Sequence, residues 1–158
     1  MMKMMRNTLV AAALIGAQAV MFSAPAAAAD KVCKLALAAN DMMQYDKKDL
    51  SVAADCTQVE LTLTHTGKLP KEAMGHNFVL VKPDDQTAVA NAGMAAGPQN
   101  NYIQSGDKRV IAHTKLVGGG ESATVTFPTA GLQKGVAYNF LCTFPGHSAL
   151  MHGTFKFG

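Results

Sequence analysis

Gln58-Val59-Glu60-Leu61-Thr62-Leu63-Thr64 alternates polar and apolar side chains along its whole length. Successive side chains of a strand point to opposite faces, so Val59, Leu61 and Leu63 share one face and Glu60, Thr62 and Thr64 the other. Such a segment buries one side against a second layer while the other stays wet. Outward from it, strands are predicted over 34–38, 77–82, 109–114, 122–127, 136–142 and 151–157. Gly118-Gly119-Gly120 and the glycine-bounded stretch 131–135 supply turns between them. Many short strands separated by turns predict an all-β sandwich of two sheets. One stretch departs from this pattern. Asp84-Asp85-Gln86-Thr87-Ala88-Val89-Ala90-Asn91-Ala92 is rich in alanine and follows Pro83. Asp84 or Asp85 can cap a short helix there, and Gly93 or Gly97 can end it. We expect this helix as an excursion outside the sandwich.

The first residues read as a processing signal. Lys3 and Arg6 precede an apolar stretch from Thr8 to Phe22, and Ala27-Ala28-Ala29 offers the small residues a leader peptidase needs. We expect a cleaved secretory leader over 1–29 and a single domain over 30–158. An uncleaved anchor is the alternative, although the apolar stretch is short for a membrane span. Removing Lys3 and Arg6 lowers the formal net charge from +3 to +1, because that stretch holds no acidic residue. With no basic run in the chain, nucleic acid and, after leader removal, membranes are not expected partners.

Export implies an oxidising compartment, in which three cysteines divide as two and one. Cys33 and Cys56 can pair, closing a loop that the chain-entropy estimate values at about 3 kcal/mol. Cys142 is left over. It opens the run Cys142-Thr143-Phe144-Pro145-Gly146-His147-Ser148-Ala149-Leu150-Met151, and a second histidine stands upstream in Met74-Gly75-His76-Asn77. A thiolate, two imidazoles and a thioether form a soft, incomplete cage. Copper cycling between Cu(I) and Cu(II) suits such a cage, whereas magnesium or calcium takes oxygen ligands. Pro145-Gly146 turns the chain so that Cys142, His147 and Met151 can converge from one loop, with His76 supplied by another segment. Zinc also takes Cys and His, but Met151 is a poor zinc ligand and closely spaced Cys pairs are absent. A Cys142–His147 nucleophile lacks an evident orienting carboxylate. An inert buried thiol is the bland alternative.

These residues, with Leu69-Pro70-Lys71 and Arg109-Val110-Ile111-Ala112-His113-Thr114-Lys115-Leu116, resemble those of the azurins, bacterial blue-copper proteins of the cupredoxin family. The likeness runs from about Cys33 to the C-terminus, and the Cys-x4-His-x3-Met spacing is discriminating. The resemblance implies a Greek-key β-sandwich or barrel with one type 1 copper. His76, Cys142 and His147 would be equatorial ligands, Met151 a distant axial one, and the Gly75 carbonyl a weak contact opposite it. Asn77 would tie the two ligand segments together through Thr143 and Ser148, with Phe144 in the same surrounding layer. Cys33 and Cys56 would form a disulfide far from the metal. An ordinary turn asparagine is the alternative for Asn77.

The resemblance also implies an electron carrier of the periplasm rather than an enzyme. Its partners would be redox proteins such as c-type cytochromes or copper or haem reductases, docking transiently. They would meet an apolar patch of Met43, Leu69, Met74, Met94, Pro145, Gly146, Ala149 and Leu150, with His147 reaching the surface inside it. Read alone, each Met is better explained as a core filler. His65 resembles a near-core family histidine that couples protonation to redox state, or is simply structural. His113 should lie on the surface, and His152 should point away from Met151. Phe78 stands where many azurins carry Trp, and the chain has no Trp. Tyr45 and Lys31 read as unremarkable substitutions. Two rival functions remain: a periplasmic copper or zinc carrier using the same ligands, and a copper oxidoreductase. For the second, no further ligand cluster is recognisable in the sequence.

Overall fold

The computed structural model describes residues 30–158, so the expected leader lies outside the described residues. Among the described residues, nine strands form two sheets. The strands are β1 (Val32–Asn40), β2 (Gln44–Tyr45), β3 (Asp49–Val52), β4 (Gln58–His65), β5 (Val79–Val81), β6 (Ala112–His113), β7 (Ser122–Pro128), β8 (Ala137–Leu141) and β9 (His152–Phe157). One sheet has the order β2-β1-β4-β7 and the other β3-β9-β8-β5-β6. Both sheets join strands far apart in sequence (β1–β4, β4–β7, β3–β9 and β5–β8), and β1–β4 and β3–β9 run parallel while the remaining pairs are antiparallel. This is the crossed connectivity of a Greek-key sandwich, as expected.

The alternation over 58–64 does what its period dictates. Val59, Leu61 and Leu63 are buried, and the residues between them are partly exposed. Register carries the pattern sideways: Leu61 faces Leu35 on β1 and Val125 on β7, and Leu63 faces Leu37 and Ala123. Leu37, Leu61 and Leu63 then meet Phe140 and Phe155 from the other sheet, and Phe78 just ahead of β5, in one core. Each fully buried Leu or Phe contributes roughly 2 kcal/mol by area removed from water. Phe78 stacks on Phe140 at 5.7 Å between ring centroids, so an aromatic fills this part of the core without a Trp.

Several boundaries differ from the sequence reading. β1 is longer than 34–38, because pairing with β4 and β2 recruits both flanks. The strand expected over 109–114 contracts to β6, since Asp107 turns the chain by accepting the Arg109 amide. β2, β3 and the single turn α1 (Lys71–Met74) carried too little periodic pattern to be read. The helical excursion is α2 (Gln86–Ala96), entered through a 3-10 turn at Pro83–Asp85 and ended at Gly97. Gly93 does not end it but allows close packing, because a Cβ there would lie 2.2 Å from the Tyr102 carbonyl oxygen. Among the described residues, no helix is long and apolar enough to cross a membrane.

The Cys33–Cys56 disulfide joins the start of β1 to the turn before β4. Its partners are 23 residues apart. Replacing both cysteines by alanine should lower the free energy of unfolding in denaturant titration by about 3 kcal/mol. An unchanged midpoint would contradict the loop-closure account.

Candidate metal centre

Cys142 directly follows β8, and its amide donates to the Met151 carbonyl at 2.9 Å, just before β9 begins. The chain between them is therefore a loop closed at its neck by the β8–β9 ladder. Phe144-Pro145-Gly146-His147 forms its outer turn: His147 N–H donates to the Phe144 carbonyl at 3.0 Å, and Gly146 has φ 82 and ψ −16. Pro at the second position and Gly at the third are what a type II turn requires. The chain then tightens into a 3-10 turn over His147–Ala149, and the Leu150 and Met151 amides both donate to the His147 carbonyl, at 3.0 and 2.7 Å. That compact path brings Cys142, His147 and Met151 to one place.

His76 arrives separately, just ahead of β5. Its backbone bridges Val117 through two hydrogen bonds, at 3.0 and 2.8 Å. Its Nε2 lies 2.9 Å from the Asn40 carbonyl, which can only accept. Nε2 therefore carries the proton, and Nδ1 presents a lone pair. That Nδ1 is buried and has no hydrogen-bond partner. Cys142 Sγ lies 3.7 Å from His147 Nδ1 and 3.9 Å from the Gly75 carbonyl oxygen. The ligating atoms of His76, Cys142 and His147 all lie within 4.8 Å of one another. Met151 is fully buried in the same cluster as Cys142. An unpartnered imidazole nitrogen beside a thiol and a second imidazole is the donor set a soft metal takes, so the residues fit copper.

Burial sets the protonation of these groups. It lowers His76 and His147 to a pKa of about 4, and it raises the Cys142 thiol to about 11. The backbone N–H groups of Asn77 and Phe144 face the sulfur and act against that rise. At neutral pH both imidazoles are uncharged donors, while a metal must displace the thiol proton.

Asn77 braces the two segments. Its Oδ1 accepts the Thr143 amide at 2.9 Å, and its Nδ2 donates to Thr143 Oγ1 at 2.8 Å and to the Asn101 carbonyl at 2.9 Å. Thr143 Oγ1 in turn donates to the Tyr102 carbonyl at 2.7 Å. The expected bond from Asn77 to Ser148 is not made; Ser148 instead lines a shallow cleft with Gln86, Asn91 and His152. Asn101 takes its place because the chain at Asn101 and Tyr102 adopts positive φ and turns a carbonyl toward Asn77. Phe144 packs on the His147 ring at 4.5 Å between centroids.

Around the loop, Leu69, Met94, Pro145, Gly146, Ala149 and Leu150 are exposed, while Met43 and Met74 are half-buried. Met42, absent from the expected patch, is 67% exposed and lines a cleft with Met43 and Leu150. His147 itself is only 3% exposed, less than expected, because Phe144 and the surrounding turn cover it. His65 is fully buried, its ring 4.5 Å from that of His76, and its Nε2 lies 3.0 Å from Asp41 Oδ1. The Lys68 amide, with help from Leu69 and His65, holds the Asp41 carboxyl below the usual range. His113 and His152 are exposed, apart from the site. Tyr45, read as unremarkable, is buried and donates its hydroxyl to the Asn77 carbonyl. No sequence pattern marked it, because β2 is only two residues long.

Residues 31–158 match the family model described as copper binding proteins, plastocyanin/azurin family. The azurin of Bordetella pertussis is 52% identical over 145 residues, covering 90% of this chain and 95% of the relative. The azurin of Pseudomonas aeruginosa is 47% identical over 134 residues, covering 85% and 89%. Among solved structures, an azurin (Az-iso2) from the methylotroph Methylomonas sp. strain J superposes with a TM-score of 0.77 at 42% identity, covering 80% of this chain and 98% of that one.

The depressed histidines make the metal-free protein acid-sensitive. In the unfolded chain they take up protons near pH 6.5, whereas in the folded chain they resist until about pH 4. Their neutral burial is thus fully tolerated above pH 6.5 and progressively opposed as the pH falls toward 4. Between pH 7 and pH 5 the pair should remove roughly 4 kcal/mol of stability. Urea titrations of metal-free protein at the two pH values measure this. The double variant His76→Gln/His147→Gln should lose most of the dependence.

Proposed function

Because the chain belongs to the plastocyanin/azurin family of copper-binding proteins, we propose that it is a single-electron carrier. In this reading, residues 1–29 direct export and are removed, and the mature domain works in the periplasm. His76, Cys142 and His147 would hold the copper, with Met151 and the Gly75 carbonyl as the weaker donors beside them. Bound copper supplies a one-electron couple between Cu(I) and Cu(II).

The observation that carries the proposal is the buried, unpartnered Nδ1 of His76 beside the Cys142 thiol and His147. Leaving a polar atom buried and unsatisfied costs about 1–3 kcal/mol unless something binds there. The chain's own residues then do three things. Asn40 and Val117 fix the His76 ring and backbone. Asn77 fixes the spacing between the His76 and Cys142 segments. The core around Cys142 and Met151 excludes water. A ligand set held this way changes little when the metal's charge changes, which keeps the barrier to electron transfer low.

The exposed apolar residues around His147 support transient docking of redox partners such as c-type cytochromes or copper or haem reductases. Phe144 and the His147 ring edge offer the short path outward. The same bracing favours retention of copper over the release that a metal carrier needs. Among the described residues, a second ligand cluster suited to an oxidoreductase is absent.

The copper-loaded protein should show an intense visible band that bleaches on reduction and returns on oxidation. Cys142→Ser should abolish that thiolate-to-copper band; its persistence in the variant would sink the assignment. A colourless wild-type protein holding zinc that copper cannot replace would turn the reading toward metal carriage.

A further inference from the structure

Tyr45 lies on β2, the short edge strand of one sheet, yet its side chain is only 5% exposed. Its ring packs on Phe140 of the other sheet at 5.5 Å between centroids. Its hydroxyl crosses to the segment leading into β5 and donates to the backbone carbonyl of Asn77. Asn77 is fully buried, and among the described residues the phenol is the partner this carbonyl has. Every polar group of the Asn77 side chain is also engaged, with Thr143 and Asn101. Asn77 directly follows His76 in sequence, and Thr143 directly follows Cys142. Whatever fixes Asn77 therefore fixes the separation of the two ligand-bearing segments.

We propose that the Tyr45 hydroxyl is a positioning group for the metal centre, acting from the opposite sheet through Asn77. Removing its oxygen leaves a buried carbonyl without a donor in an apolar core. The peptide then turns to find one, and the Asn77–Thr143 bonds loosen with it. The N–H groups aimed at the Cys142 sulfur lose alignment in the same movement. Hydrogen bonding around the sulfur tunes a copper–thiolate potential, because it supports the negative charge that the reduced state concentrates there. Weaker support favours the oxidised form. This inference rests on the copper reading above, but its first arm does not need the metal.

The test compares Tyr45→Phe with Tyr138→Phe. Tyr138 is a second buried phenol, at the start of β8, whose hydroxyl accepts the Gln133 amide away from the centre. In metal-free protein, amide hydrogen exchange of Thr143 should accelerate in Tyr45→Phe and not in Tyr138→Phe. In copper-loaded protein, the equilibrium with a mediator of fixed potential should shift roughly threefold toward Cu(II) in Tyr45→Phe alone. The charge-transfer band should move with it. Equal Thr143 exchange in both variants, or a Tyr45→Phe protein altered only in melting temperature, would overturn the assignment. A wild-type protein with no such band would overturn the copper reading instead, and the exchange arm would still decide the role of Tyr45.

Discussion

Two hydrogen bonds between Asn77 and Thr143 hold the centre together. They join the two segments that carry His76 and Cys142, and the bonded residues lie 66 positions apart in sequence. Neither segment is regular structure at that point. Without the amide of Asn77 the Thr143 N–H would be buried with no acceptor, at a cost of about 1–3 kcal/mol. The brace therefore stabilises the fold and sets the site's geometry at once. Everything around it deepens the constraint: Asn101 through a left-handed turn, Tyr102 through Thr143, and Tyr45 from the other sheet.

The same region works against stability. Two imidazoles are buried neutral with pKa values near 4, and a thiol is buried with its pKa pushed to about 11. His76 keeps a nitrogen without a partner. A protein optimised only to fold would fill such a place with apolar side chains. The aromatic and leucine core below, from Phe78 and Phe140 to Leu61, supplies the stability that this arrangement spends. Local conflict inside an otherwise consistent fold is what a functional site looks like in physical terms.

Much of this was legible in the sequence, for reasons that can be named. A strict two-residue alternation over 58–64 specifies a half-buried strand, and it carries His65 into the core on the same face. Cys142, His147 and Met151 were readable because one short loop carries them all. What was not readable depended on pairing across long separations. β2 and β3 are short edge strands that exist because β1 and β9 offer them hydrogen bonds. Ser148 was the expected partner of Asn77 beside Thr143, and nothing in the sequence singled out Asn101, which takes that place. Only the left-handed turn at Asn101 and Tyr102, a tertiary feature, decides between them. Tyr45 was invisible for the same reason: its bond crosses between sheets to a backbone carbonyl, and no side-chain pattern records that.

The near burial of His147 bears on how such a centre would exchange electrons without exchanging ligands. At 3% exposure its ring is shielded by Phe144 and the Pro145-Gly146 turn, while Leu150 beside it is 55% exposed. Water and competing ligands thus meet an apolar surface, not an open coordination position. On the proposed reading a partner's apolar face would still reach contact, because Met42, Leu69 and Leu150 are exposed and offer surface to cover. Electron transfer tolerates a layer of side-chain atoms; ligand exchange does not. A carrier of metal ions needs the opposite arrangement, with donors that swing outward to hand over their cargo. Here Asn40 holds His76, Phe144 packs on His147, and the backbone neck between Cys142 and Met151 closes the loop. On the proposed reading, release of the metal would disturb these contacts, whereas electron transfer would leave them in place.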